Sequence, residues 1–292
     1  MRLENTSNAQ ALSMVEPAIL RDGLAIYSIG QGEPLLLMPY PHASAPPIEQ
    51  NQLAQVLSGL GRRVITFDAP GMYRSTRQAA VSMPVMLGCA EEALPALGIQ
   101  GAVDVLGHSM GGLCALAYAL EHPDRVKRLA LIGSLSGWPA IRRNRCIPYN
   151  LRWTDANFWR TLFWGTRLIL GVGNLAVHKR LDHLMDRLCF VDQSYVPQLE
   201  ITPDDHWWPA PVRDGWLKAA RKLDYRDRLG EIRAPTLILV GRFDPQTTVA
   251  CNEELARGIP GAQLAIFERS GHHPFIEEPE QFASVLRQFW VG

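Results

Sequence analysis

Val103-Asp104-Val105-Leu106-Gly107-His108-Ser109-Met110-Gly111-Gly112 is the stretch on which the reading of this chain turns. A β-rich run, 103–106, enters a Gly-x-Ser-x-Gly pentapeptide, and the Ala/Leu-rich segment 113–120 follows. The pattern fits a sharp strand-to-helix turn that holds a serine hydroxyl clear of a sheet. Glycines at 107 and 111 remove the Cβ atoms that would clash in so strained a turn.

A serine hydroxyl is a weak nucleophile until a base takes its proton, and the base works best when a carboxylate fixes its tautomer. Downstream, the run 236–240 leads into Gly241-Arg242-Phe243-Asp244-Pro245, and the run 262–267 into Ser270-Gly271-His272-His273-Pro274. An acid and a histidine thus each follow a predicted strand. Competing readings exist. Asp68 is an alternative acid, although Asp68-x-Pro70-Gly71 reads as turn chemistry, with the carboxylate accepting from backbone N–H groups. His273 competes with His272. His108 packs beside the serine, and His122, before Pro123, reads as a helix end.

Four segments together, Asp68-x-Pro70-Gly71, Gly107–Gly111, Gly241-x-x-Asp244-Pro245 and Gly271-His272-x-Pro274-x-x-Glu277-x-Pro279, resemble the α/β-hydrolase fold family. The resemblance runs from about Leu24 to Phe289 with a variable middle. It implies a mostly parallel central sheet flanked by helices, with an inserted helical cap. The order Ser109, Asp244, His272 is that of the family, which places the base directly after the glycine, at His272. By this resemblance Ser109 is the nucleophile, His272 the base and Asp244 the orienting acid. The Met110 N–H is one oxyanion donor. The second comes from the loop Pro39-Tyr40-Pro41-His42. Relatives commonly carry His-Gly where this chain has Met38-Pro39. Proline has no N–H, so Tyr40 is the expected donor, with His42 a side-chain alternative.

Composition narrows the function. The 292 residues are 47% apolar, enough for a substantial core, with formal net charge zero. That balance argues against general nucleic-acid binding. No stretch approaches a membrane span and the first residues lack an apolar signal core, so stable membrane insertion is not expected and cytoplasmic residence is the simplest reading. The five cysteines (Cys89, Cys114, Cys146, Cys189, Cys251) are scattered, without Cys-x-x-Cys. No metal and no organic cofactor is implied. A small-molecule substrate is the expected partner, and a homodimer is left open.

Predicted strands lie at 24–29, 35–38, 63–67, 103–106, 129–132, 236–240 and 262–267, with helical spacing at 50–60, 113–120 and 280–290. Residues 1–20 read as a loose arm. Alternating strands and helices predict a parallel sheet covered on both faces, with its site at the carboxyl ends of the strands. The expected division is a core from 1–137 and 229–292 interrupted by a helical cap at 138–228. That insert carries seven of the eight tryptophans, and 12 Arg and 3 Lys against 10 Asp and Glu. Trp138, Trp207 and Trp208, with His42 and His108, are its candidate pocket residues. Glu200, Asp204 and Asp205 form a small acidic cluster.

These features predict a serine hydrolase that forms an acyl-enzyme on a small, mainly apolar ester, thioester or lactone. Two alternatives keep the triad but change the bond: a proline iminopeptidase-like aminopeptidase or a carbon–carbon bond hydrolase. A third, of another class, is a small-molecule receptor on a hydrolase scaffold.

Overall fold

Leu35, Leu36 and Leu37 are consecutive in one strand and all three are buried. Alternate side chains of a strand point to opposite faces, so this strand must be covered on both. Leu36 and Met38 join a cluster with Ile65, Phe67, Val105, Leu131 and Ile238. Leu35 and Leu37 join another with Val64, Leu106, Ile132, Leu239 and Phe282. A three-layer arrangement follows.

The computed structural model describes residues 17–39, 51–169, 175–196, 216 and 218–291. Eight strands form one sheet: β1 (Ile19–Arg21), β2 (Leu24–Ile29), β3 (Glu33–Leu37), β4 (Arg62–Phe67), β5 (Val103–His108), β6 (Val126–Ile132), β7 (Thr236–Gly241) and β8 (Gln263–Phe267). Their order is β1-β2-β4-β3-β5-β6-β7-β8. β1 and β2 pair antiparallel, as do β2 and β4, and every later pair is parallel. In the centre Leu36 pairs with Val105, Leu106 with Ala130 and Ile132 with Leu239, and the β5–β6 register shifts once, between Val103 and Asp104. The fold class read from the sequence is the one found.

The helices are α1 (Gln52–Gly59), α2 (Met83–Ala96), α3 (Met110–Glu121), α4 (Trp138–Arg143), α5 (Ala156–Ile169), α6 (Leu175–Cys189), α7 (Val249–Gly258), α8 (Pro274–Glu277) and α9 (Pro279–Val291). Asn51 caps α1 by accepting from the Ala54 N–H. α3 has ten buried residues, mostly alanine, leucine and glycine, and so lies close against β5 and β6. Among the described residues α4 to α6 fall between β6 and β7, with a further helical segment at 218–220.

The elements not named from the sequence include β1, α2, α7 and α8. β1 falls partly in the segment read as a loose arm. It pairs with β2 through Asp22 and Gly23, both at positive φ, and Asp-Gly is a hairpin turn signal. α2 buries one face, with Met83, Met86, Leu87, Ala90, Ala93 and Leu94, but its outer face carries Pro84, Val85, Gly88, Pro95 and Ala96, so the amphipathic contrast is weak. Among the described residues no helix is long and apolar enough to cross a membrane, and all five cysteines are buried free thiols.

Candidate active site

β5 ends at His108 and α3 begins at Met110, so Ser109 makes the turn alone, at φ +57° and ψ −123°. A non-glycine residue held there costs on the order of 1–3 kcal/mol and persists only where its surroundings enforce it. Here the Ser109 N–H donates to the Ile132 carbonyl (2.8 Å), and the Ser134 hydroxyl donates to the Ser109 carbonyl (3.1 Å). A Cβ at Gly107 would stand 2.2 Å from the Gly111 carbonyl oxygen, and one at Gly111 would stand 2.5 Å from that of Met38. The elbow therefore closes only with glycine at both places. The Ser109 side chain makes no capping bond to α3. The first N–H groups of the helix, Met110 foremost, have no intrahelical acceptor and carry the positive end of its dipole.

The loop after β7 carries Asp244 and the loop after β8 carries His272. Both are buried, at 4% and 2% exposure. His272 Nδ1 lies 2.7 Å from Asp244 Oδ2. The carboxylate is otherwise saturated: Oδ1 accepts from the N–H groups of Gln246 (2.8 Å) and Thr247 (2.9 Å), and Oδ2 from the Thr247 hydroxyl (2.7 Å). Burial on its own pushes the Asp244 carboxyl up. The charge and hydrogen bond of His272, with the Thr247 bonds, outweigh it and hold Asp244 below its ordinary value. An ionised acid facing Nδ1 fixes the proton there and leaves Nε2 as the basic nitrogen.

Several residues that build this pair carried no role in the sequence reading. Gly133, just after β6, has φ +46°. A Cβ on it would lie 3.0 Å from Asp244 Oδ2 and 3.1 Å from both His272 Nδ1 and Thr247 Oγ1. Glu277 accepts from the Gly271 N–H (2.7 Å) with one oxygen and from Val191 (2.7 Å) and Asp192 (3.1 Å) with the other. The Cys189 carbonyl accepts from the His272 N–H (2.7 Å). The histidine loop is thereby tied to the end of α6. The only sequence signal for Glu277 was its place in the Gly-His-x-Pro-x-x-Glu motif.

His108, His272 and His273 cluster, with ring centroids 4.5–5.2 Å apart. His108 Nε2 pairs with the His272 carbonyl (2.9 Å). Burial first, and then repulsion from His272, push the His108 imidazole down to about 3. Burial and the same two neighbours hold His273 well below its ordinary value. His273 stacks on Phe190 and leaves its Nδ1 buried without a partner. Of the three, His272 alone meets the acid. Asp68 serves its turn, accepting from the Tyr27 hydroxyl (2.7 Å) and the Arg74 N–H (3.1 Å).

Ser109, Met110, His108 and His272 line a cavity of about 730 Å³. Trp138, Trp216, Leu181, Met185, Phe190 and Phe275 make much of its apolar wall, and Asp68 and Asp186 its acidic one. Among the described residues no Lys or Arg lines it, and no three His, Cys, Asp or Glu converge as metal ligands. Tyr40, His42, Trp207 and Trp208, like Glu200, Asp204 and Asp205, lie outside the described residues. Trp153 and Trp159 are 72% and 56% exposed and do not line the cavity.

A family model described as alpha/beta hydrolase fold matches residues 39–279. A 2-hydroxymuconate semialdehyde hydrolase of Pseudomonas putida is 32% identical over 274 residues, 90% of this chain and 89% of that one. A pimeloyl-[acyl-carrier protein] methyl ester esterase of Nitrosomonas europaea is 28% identical over 228 residues, 76% of this chain and 82% of that one. Among solved structures, an alpha/beta fold family hydrolase from Bacillus anthracis superposes with a TM-score of 0.72 at 22% identity, covering 91% of this chain and 95% of that one.

Proposed function

The chain belongs to the α/β-hydrolase fold family, and from that membership we propose that it is a serine hydrolase cleaving a small, mainly apolar carboxylic ester, thioester or lactone through an acyl-enzyme. The relatives are hydrolases, and so is this protein. The 2.7 Å contact between His272 Nδ1 and the saturated, buried Asp244, in a cavity that also holds the strained Ser109, carries the reading of the chemistry.

In this mechanism Ser109 Oγ attacks the carbonyl carbon while His272 Nε2 takes its proton. Asp244 stabilises the imidazolium by charge and holds the ring in place. The oxyanion forms beside the start of α3 and accepts from the Met110 N–H. A second donor from Tyr40 remains part of the proposal. His272 then protonates the leaving group, and water deacylates Ser109 through the same nitrogen. We assign α4–α6 and the segment around them, 138–228, to a cap over the serine, because Trp138, Leu181, Met185 and Trp216 reach the cavity wall.

One observation favours the ester over the carbon–carbon reading. The Pseudomonas putida relative is named for a muconate semialdehyde, an anionic substrate, whereas the described wall here offers no fixed cation. The esterase relative keeps ester chemistry in view. Initial rates on short and medium chromogenic esters, a lactone, a prolyl anilide and a muconate semialdehyde, with Ser109→Ala as control, test the reading. Ser109-dependent turnover led by an ester or lactone is expected. Preference for the muconate semialdehyde would replace it with the carbon–carbon hydrolase. Full activity in Ser109→Ala would remove the mechanism altogether.

A further inference from the structure

Two acidic side chains of the cavity wall differ in one respect. Asp68 is satisfied by Tyr27 and the Arg74 N–H. Asp186, on α6, is half-buried, and its carboxyl makes no hydrogen bond or ion pair with any described residue. Open to the cavity in this way, the carboxyl has room for a partner. The neighbours do not supply one. His108 and His273 line the same cavity, but burial and mutual repulsion keep both neutral. Burial likewise shifts the Asp186 carboxyl upward, with His183 and His272 opposing. Among the described basic residues of 138–228, Arg152, Arg160 and Arg167 are exposed, where salt screens them. Outside and inside of this region therefore differ in sign.

We propose that Asp186 is a specificity-determining residue that filters substrates by charge, admitting neutral acyl groups and those bearing an ammonium or other hydrogen-bond donor, and rejecting carboxylates. The inference rests on this cavity being the substrate site, but not on which bond is cleaved. A carboxylate entering the cavity meets a second carboxylate of like charge, with no described Lys or Arg in the wall to neutralise either. A donor entering the same space completes the hydrogen bonding of Asp186.

The filter is tested by binding to Ser109→Ala protein, which holds ligands without turning them over. Saturation-transfer NMR titrations would compare methyl caproate, methyl aminocaproate and monomethyl adipate, three esters of similar length that differ in terminal charge. Monomethyl adipate is expected to bind at least about tenfold more weakly than methyl caproate, and methyl aminocaproate at least as tightly as methyl caproate. In Ser109→Ala/Asp186→Asn protein the gap between anion and neutral ester shrinks to within about threefold, because the isosteric amide keeps the shape and removes the charge. Equal or tighter binding of monomethyl adipate in the parent, or an unchanged gap after Asp186→Asn, overturns the filter. So does failure of all three to bind. The ester reading is judged separately by Ser109-dependent turnover of neutral substrates, so either conclusion can fall without the other.

Discussion

The loops after β7 and β8 and the helix α5 follow opposite rules. In the loops the two carboxylates that build the site are saturated. Asp244 accepts four hydrogen bonds, Glu277 accepts three from backbone N–H groups, and Gly133 is packed so closely that a methyl group would press on the acid–histidine pair. In α5 the large apolar side chains face outward: Trp159, Leu162 and Phe163 are 45–56% exposed, and Trp159 makes its one hydrogen bond to the nearby Trp153 carbonyl. Rigid placement of a few groups is what acid–base chemistry at a carbonyl requires, because misplacement by an ångström costs orders of magnitude in rate. A helix outside the cavity wall is under no such demand. Side chains in the first region should be intolerant of change, and those in the second tolerant.

The largest expected effect is at the acid. Asp244→Asn keeps the volume but removes the charge that holds the imidazolium, and kcat should fall roughly 10⁴-fold with the melting temperature little changed. Steady-state kinetics beside a thermal melt read both, and an activity near wild type would show that the saturated carboxylate is structural.

Acid should destabilise the fold next. His108 is neutral in the fold, with its imidazole at about 3 against an ordinary 6.5. Below 6.5 the unfolded chain therefore binds a proton that the folded chain refuses. Stability should be full above that pH and fall as pH drops from 6.5 towards 3, on the order of 1.4 kcal/mol per pH unit for this group. Chemical denaturation at stepped pH measures the slope, and His108→Asn should make it shallower. An identical slope in the variant would mean that His108 is hydrated and titrates normally.

Gly133→Ala comes third. Both the positive φ and the 3.0–3.1 Å contacts oppose a Cβ, so about 1–3 kcal/mol of stability should be lost, with kcat falling because the added methyl pushes Asp244 and His272 apart. A neutral result would show that the loops yield more than their hydrogen bonding suggests. The smallest effect is assigned to α5, where Trp159→Ser or Phe163→Ser should change stability by no more than about 0.5 kcal/mol. A change several times larger would mean that this face is covered in solution and would erase the contrast.

Legibility in the sequence divided along the same line. The strand runs 24–29, 103–106, 129–132 and 236–240 all fall within strands that are observed, because strands buried on both faces must be apolar throughout. Ser109, Asp244 and His272 stood out because each sits in a short local pattern. β1 was missed although Asp22-Gly23 carries a hairpin signal: three residues with two exposed side chains have little periodicity to read. α2 was missed because its outer face carries Pro84, Val85, Gly88 and Pro95 beside Glu91 and Glu92, so the buried side does not stand out as an apolar stripe.

The sequence by itself determined the fold class, the serine elbow with its two glycines, and the chain order of acid and base. These depend on local backbone geometry and on periodicity, which neighbouring residues encode. Tertiary structure decided which histidine meets Asp244, that His108 and His273 stay neutral, that Gly133 and Glu277 support the pair, and that Asp186 faces the cavity without a partner among the described residues. Each of those facts is a distance or a burial between segments far apart in the chain. Desolvation and close approach act only once the sheet has brought the segments together.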